Sequence, residues 1–454
     1  MSDVENYPVM SPVEPGEIIE KIPQTPPAEG ESMERIFSDF KEVILPGMTH
    51  WQHPSWFAYF PANNSPPSIL AELLTAGLGA QCMIWQTSPA AAELEETVME
   101  WLRQMLGLPE DMIGCIQDTA STATLCALLS AREKATDFES NRIGLKKPLT
   151  VYASEETHSS IEKGVKIAGF GRTAIRFIPT DDAFAMIPAD LEKAIIEDKN
   201  NGLLPACTVA TLGTTSSTAI DPLADIGRIC RRHDVWLHVD AAYAGTAAIL
   251  PENRAMLQGA EHMDSFVFNP HKWMLTNFDC SVYYVRDPGT LIRTFEIHPE
   301  YLKTGQDARV KNYRDWGIQL GRRFRALKLW FVIRSYGVKG LQAMVREHLR
   351  LAEIFSEWVK EDDWFELMAP VSLSLVCFRM NDGRPEAGLN DLNATLLDKI
   401  NQTGKVFLTH TTLKGKYVLR MMIGQRTTEE RHVKRAWKLI KENAGNLLKI
   451  ARKS

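Results

Sequence analysis

The stretch ACTVATLGTTSSTAIDPLADIGRICRRHDVWLHVD, residues 206–240, holds two short apolar, β-branched runs, Ala206–Gly213 and Val235–Asp240, with a helix-forming run, Pro222–His233, between them. A strand, a helix and a second strand in that order pack most economically as a βαβ unit, with the strands parallel and the helix covering the sheet. The same alternation extends to both sides, through PLTVYAS (148–154), AIRFIP (174–179) and SFVFN (265–269). These segments predict an α/β fold, a mostly parallel sheet covered by helices, over residues 110–290.

Upstream, AAELEETVMEWLRQML (91–106) carries Leu94, Val98, Trp101, Leu102 and Met105 at spacings of three and four, the pattern of an amphipathic helix. Downstream, a long connecting helix is expected from near Arg323, followed by strands near SLSLVCFRM, KVFLTH and YVLRMMI and a final helix from Thr427. The first thirty residues are rich in Pro and Glu and read as an extended arm, since proline has no amide to donate. The expected division is an N-terminal arm with a short helix at 1–50, a large domain at 51–345 and a smaller α+β domain at 346–454.

Bulk properties narrow the function. The 454 residues are 44% hydrophobic and 24% charged, as in an ordinary globular protein. Lys and Arg number 51 against 57 acidic residues, for a net charge of −6, and no basic stripe tracks a phosphate backbone; no nucleic-acid partner is expected. No stretch is apolar for long enough to span a membrane, and a cytoplasmic protein is expected. The seven cysteines are scattered without a CxxC pair, which points to reduced thiols and to no metal site.

Ligands of an open parallel sheet collect outside the carboxyl ends of its strands. Asp240, Thr214 with Thr215, and His271 with Lys272 all follow such ends. Brought to one sheet edge in a nearly apolar pocket, a lysine amine has a lowered pKa and becomes a Schiff-base nucleophile. In GCIQDTASTATLCALLSARE (114–133), Thr119, Ser121 and Thr122 open a helical run, and hydroxyls with unpaired amides at a helix start suit an anion. GxGxxG, GxxxxGK[ST] and HExxH are absent, so one phosphate on a small cofactor fits better than a dinucleotide or ATP. A reactive lysine, an aspartate and a phosphate cradle are the three grips of pyridoxal phosphate.

The motifs HVDAAYAG (238–245), NPHKWM (269–274), TLGTTSSTAID (211–221), ETHSSIEKG (156–164) and LGRRFRALKLW (320–330) resemble the group II pyridoxal-phosphate decarboxylases, specifically the aromatic-L-amino-acid decarboxylases, over almost the whole chain. The resemblance implies a fold type I transferase-like architecture with a seven-stranded sheet, and a carboxy-lyase with pyridoxal 5'-phosphate as cofactor. It implies that Lys272 carries the cofactor, that Asp240 pairs with the pyridine nitrogen and that His158 stacks on the ring. Ala120, Ser121 and Asn269 match phosphate-binding positions, while Thr215, Asp221 and His271 match residues around the ring. Tyr301, in a polar loop, matches the family's proton donor; tyrosine here with histidine at 158 is the decarboxylase pattern, whereas related aldehyde synthases replace one or the other.

Tyr59, Phe60, Ala62, Trp85 and Gly321 are the candidate substrate contacts. Glycine at 321 goes with indole substrates in plant relatives, so tryptophan is the first expectation, with phenylalanine, tyrosine and dopa close behind. Arg420 holds either the substrate carboxylate or a structural ion pair. A homodimer with active sites at the interface is implied. Aldehyde synthesis, decarboxylation of acidic amino acids and a non-catalytic role on the same scaffold are the alternatives. Asp118 departs from the family pattern, standing where relatives often have glycine.

Overall fold

A computed structural model describes residues 3–297, 305–306 and 309–451. Its contacts divide the chain into two units: Ala62–Arg350 with Ala369–Leu375, and Met1–Pro61 with Leu351–Met368 and Val376–Ser454.

The larger unit is built on a seven-stranded sheet. Its strands are β1 (Ile113–Gln117), β2 (Leu149–Ser154), β3 (Ile175–Ile178), β4 (Leu204–Thr211), β5 (Trp236–Asp240), β6 (Ser265–Phe268) and β7 (Ser281–Val285), in the order β1-β7-β6-β5-β4-β2-β3. From β3 to β6 every pairing is parallel, and β7 runs antiparallel to both β6 and β1. The sheet is therefore mostly parallel and seven-stranded. The five strands expected from the sequence within 110–290 are present, and β1 and β7 are additions to them. β2, β5, β6 and β7 are buried at every residue. Such continuous burial follows from helices on both faces and explains the unbroken apolar runs. Leu128, Ile161 and Val165, from the helices Ala120–Ala135 and Ser160–Ile167, pack with Val151, Val209 and Trp236 in one core cluster.

The smaller unit carries β8 (Phe365–Leu367), β9 (Leu375–Met380), β10 (Thr409–Leu413) and β11 (Lys416–Met422), in the order β10-β11-β9-β8. The helices Glu386–Gln402 and Glu430–Ala451 belong to it. The expected strand KVFLTH begins later, at Thr409. The linear division at 50 and 345 also gives way to a different grouping, because the N-terminal residues are tied into this unit. Val9 N–H donates to Gly404 O (2.9 Å), Phe57 N–H to Phe407 O (3.0 Å) and Met422 N–H to Phe57 O (2.9 Å). Arg431 grips the Glu5 carboxylate with two nitrogens, at 2.7 and 3.0 Å.

The long helix runs from Arg325 to Lys360 with one break, at Gly337, whose φ of 63° is left-handed. Only glycine takes that conformation without a steric penalty.

Candidate active site

Strand registers bring the expected site residues to one edge of the large sheet. Asp240, the last residue of β5, pairs with Thr211 of β4 on one side and Val267 of β6 on the other. Phe268 pairs with Val282 of β7, and Gln117, the last residue of β1, with Ser281. The segments leaving these ends are 118–121, 212–219, 241–245 and 269–272. Parallel strands need crossovers that return to the far edge, which is why their carboxyl ends share this one.

Lys272 lies in the short helix Pro270–Trp273, whose cap, Asn269, is anchored by its own N–H to Ala242 O (2.9 Å) and accepts the Lys272 N–H (2.9 Å). Removal from water lowers the Lys272 amine below its ordinary value, and the Asp240 carboxylate acts in the opposite direction. Asp240 is buried and takes the Ala242 N–H on Oδ1 (3.0 Å). His158 is open to solvent, with Ser160 Oγ 2.8 Å from Nδ1. Displaced water lowers its pKa, Asp240 raises it and Lys272 lowers it further. Asp240 and Lys272 thus both act on the imidazole.

His271 faces the other way. Its Nδ1 accepts the Cys280 N–H (3.0 Å), and burial, reinforced by the Lys272 charge, pushes its pKa down to about 3. It is a neutral acceptor that ties the lysine helix to the loop behind it. Asp221 is likewise a backbone anchor, accepting the Thr211 N–H (2.7 Å) and the Met186 N–H (2.8 Å); burial raises its pKa to about 6 against those two bonds. Thr215 sits in the turn after β4, which closes through Gly213 N–H and Thr214 N–H on Ala219 O. Gly213 has φ 81°, and a Cβ there would lie 2.7 Å from that of Ala244. A side chain would force apart the two segments leaving β4 and β5.

Thr119 caps the helix Ala120–Ala135 by accepting the Thr122 N–H. Asp118 does not point into the solvent in front of the cap: Oδ1 accepts from the Thr119 N–H and hydroxyl, and Oδ2 from Gln319 Nε2 (3.4 Å). The first-turn amides, including those of Ala120 and Ser121, have no partner within the helix. Asn269 Oδ1 is buried without a hydrogen-bond partner among the described residues. A buried amide in that state implies a missing polar group, and turning it about its last bond offers N–H instead of C=O. The residues fit pyridoxal phosphate: an amine and a carboxylate in mutual range, an imidazole beside them, and unsatisfied polar groups at the same edge.

The candidate substrate contacts are divided between the units. In the smaller one, Tyr59 is half-exposed and stacks on Trp51 (5.7 Å), and Phe60 is buried with the Arg420 guanidinium 5.9 Å from its ring centre. Arg420 also donates to Thr409 Oγ1 (2.9 Å). In the larger one, Trp85 donates its indole N–H to Glu93 (2.8 Å), Ala62 is partly buried, and a Cβ at Gly321 would meet Gln81 Nε2 at 3.2 Å. Tyr301 lies outside the described residues.

Several supporting residues escaped the sequence reading. Asn63 spans the lysine helix, donating Nδ2 to Lys272 O (2.8 Å) and its N–H to His271 O (3.1 Å). Ser65 Oγ donates to Leu275 O (2.7 Å). Trp273, next to Lys272, stacks on Tyr243 at 4.5 Å and donates to His348 Nδ1 (2.8 Å). The only local signal for the first two is the polar, proline-bounded run PANNSPP (61–67), which has no helical or strand period.

Residues 15–381 match the pyridoxal-dependent decarboxylase conserved domain. The chain is 45% identical to phenylacetaldehyde synthase of Arabidopsis thaliana, covering 98% of this chain and 93% of that protein. It is 44% identical to tryptophan decarboxylase 2 of Oryza sativa subsp. japonica, covering 98% and 91%. The crystal structure of Oryza sativa TDC with PLP and tryptamine superposes with a TM-score of 0.96 at 38% identity, covering 98% of this chain and 94% of that one. The chain belongs to the pyridoxal-dependent decarboxylase family: it is a carboxy-lyase that works with pyridoxal 5'-phosphate.

Proposed function

We propose that this chain converts an aromatic L-amino acid, tryptophan first, with phenylalanine, tyrosine or dopa also accepted, into the corresponding arylalkylamine and carbon dioxide. The observation that carries this reading is the placement of Lys272, in the short helix after β6, beside Asp240, the last residue of the neighbouring strand β5. The family relatives named for aromatic substrates support the choice of substrate.

When bound, pyridoxal phosphate supplies an electron sink for the pair left behind as carbon dioxide departs. Lys272 offers an amine that burial has made easier to deprotonate, as a nucleophile toward an aldehyde requires. Asp240 would keep a proton on the ring nitrogen through its negative charge. His158 would pack against the ring, and Thr215, Asp221 and His271 would hold the segments around it. Ala120, Ser121 and Asn269 would hold the phosphate through amide N–H groups. Tyr301 returns a proton to the α-carbon.

Aldehyde synthesis is the second reading, favoured by the 45% identity to phenylacetaldehyde synthase, a value that does not separate the two outcomes from the 44% found for a decarboxylase. The pair His158 and Tyr301 favours the amine. The test is a product assay on the purified chain loaded with cofactor, offered tryptophan, tyrosine, phenylalanine, dopa and glutamate separately. Amine without peroxide is expected; aldehyde with ammonia and peroxide would overturn the reading, as would turnover of glutamate alone. Tyr301→Phe should lower amine formation on the order of 10²-fold or more and divert product to aldehyde.

The proposal includes a cytoplasmic homodimer. Among the described residues no helix is long and apolar enough to cross a membrane. The helix Pro66–Leu78 leaves Ile69, Leu70, Leu73, Leu74 and Leu78 between 44% and 69% exposed. A contiguous apolar stripe of that kind marks an interaction surface. Leu73→Asp with Leu78→Asp should give a monomer by light scattering if that stripe is the dimer contact.

A further inference from the structure

Strand β1 is the last in the sheet, so one side of it has no neighbouring strand. In an antiparallel pair the N–H and C=O of a given residue point to the same side, and residues alternate. Ile116, opposite Val282 of β7, turns both groups toward the open edge. There Glu95 Oε1 accepts the Ile116 N–H (2.8 Å) and Arg322 Nη2 donates to Ile116 O (2.7 Å). The two side chains also pair with each other, Nη2 to Oε1 at 2.7 Å and Nη1 to Oε2 at 3.1 Å. Both are withdrawn from water, at 4% and 8% side-chain exposure. A carboxylate that accepts and a guanidinium that donates reproduce, in side chains, what the missing strand would have offered.

Arg322 is itself held on every side. Its N–H donates to Gln81 Oε1 (2.8 Å), its C=O accepts the Cys82 N–H (2.9 Å), and its guanidinium lies 4.7 Å from the centre of the Tyr313 ring. The residues just before it run along the same edge: Gln117 Nε2 donates to Trp316 O (2.9 Å) and Gln319 Nε2 to Asp118 (3.4 Å). The segment 313–322 is thus laid against β1 immediately ahead of the helix start at Ala120.

We propose that the Glu95–Arg322 pair is a positioning device for the cofactor phosphate, gripping the main chain of Ile116 so that the amides of Ala120 and Ser121 are fixed before the anion arrives. Both side chains are engaged with each other and with Ile116, so the role proposed for them is indirect. The inference rests on the reading of that helix start as the phosphate cradle. Buried ion pairs contribute little net stability compared with apolar residues of similar size, so a pair retained here is better explained by the orientation it imposes than by the energy it adds.

The test compares the affinity of the full-length apoprotein for pyridoxal phosphate with its affinity for pyridoxal, which lacks the phosphate, each followed by absorbance of the bound chromophore. The ratio of the two dissociation constants isolates the phosphate. The double variant Glu95→Met/Arg322→Met removes both charges together and leaves no lone buried ion. It should still fold cooperatively, with a urea midpoint lowered by the two Ile116 main-chain groups left without their partners, and lose at least about tenfold of the preference for pyridoxal phosphate. Arg322→Lys keeps the charge without the forked geometry and should lose less; it decides the matter if the double variant does not fold. An unchanged preference in the folded variant would overturn the proposal. Ala120→Pro, which removes one cradle amide at the first helical position, where proline is tolerated, separates the two levels: if it leaves the preference intact, the cradle reading itself fails; if it lowers the preference and the double variant does not, only the positioning role fails.

Discussion

Lys272 and Arg322 are both cations withdrawn from water in the large unit, and they are treated in opposite ways. The guanidinium of Arg322 meets a carboxylate, a backbone carbonyl and a tyrosine face. The amine of Lys272 stands within range of Asp240, yet the loss of water outweighs that attraction and its pKa falls. A buried charge whose partners outweigh the loss of water becomes part of the framework, whereas one for which the loss of water wins becomes easier to neutralise. The same sheet carries both kinds, one along the open flank of β1 and the other past the carboxyl end of β6.

Four substitutions would break or sharpen this contrast. Lys272→Arg replaces the titratable amine by a permanent cation, and turnover should fall on the order of 10⁴-fold or more, with loss of the covalent cofactor absorbance. Next in size, Glu95→Gln strands the Arg322 charge, and unfolding in urea should show a loss of roughly 3–5 kcal/mol. His271→Asn probes the neutral side of the contrast. The folded pKa of His271 is about 3 against an ordinary 6.5, so the unfolded chain binds the proton first. The stability contributed by the neutral ring is complete above the ordinary value and is lost as pH falls toward the folded one. Between pH 6.5 and pH 5 that group withdraws about 2 kcal/mol from the apoprotein, and the asparagine variant should lose that much less over the same interval in urea midpoints. The smallest effect is expected from Asp118→Asn, which keeps the acceptor for Thr119 but removes a charge beside the phosphate site. Pyridoxal phosphate affinity should rise by about threefold, and pyridoxal affinity should not move.

The parallel half of the sheet was legible because its strands, covered on both faces, are unbroken β-branched runs, and because each is followed by a helix. β1 was not: IGCIQ is short, holds Gly114 and ends in a glutamine, and its place depends on pairing with β7, whose own direction reverses the pattern. The candidate cofactor residues could be named as a set, since Lys272, Asp240 and His158 sit in contiguous motifs that resemble a known family. Glu95 was not, because in AAELEETVMEWLRQML it reads as one more charge on a solvated face among Glu93, Glu96 and Glu100; only the tertiary fold buries it. Asn63 and Ser65 act through backbone carbonyls of a segment some two hundred residues away, and no local period announces such a contact.

Trp273 follows Lys272 directly in the chain, fully buried, stacked on Tyr243 and hydrogen-bonded to His348. With the cofactor joined to Lys272 as proposed, an indole fixed that rigidly beside it would couple optically to the chromophore. Its ultraviolet emission will dim by energy transfer as the site fills and brighten as it empties, so the chain carries an intrinsic, label-free fluorescence gauge of its own occupancy.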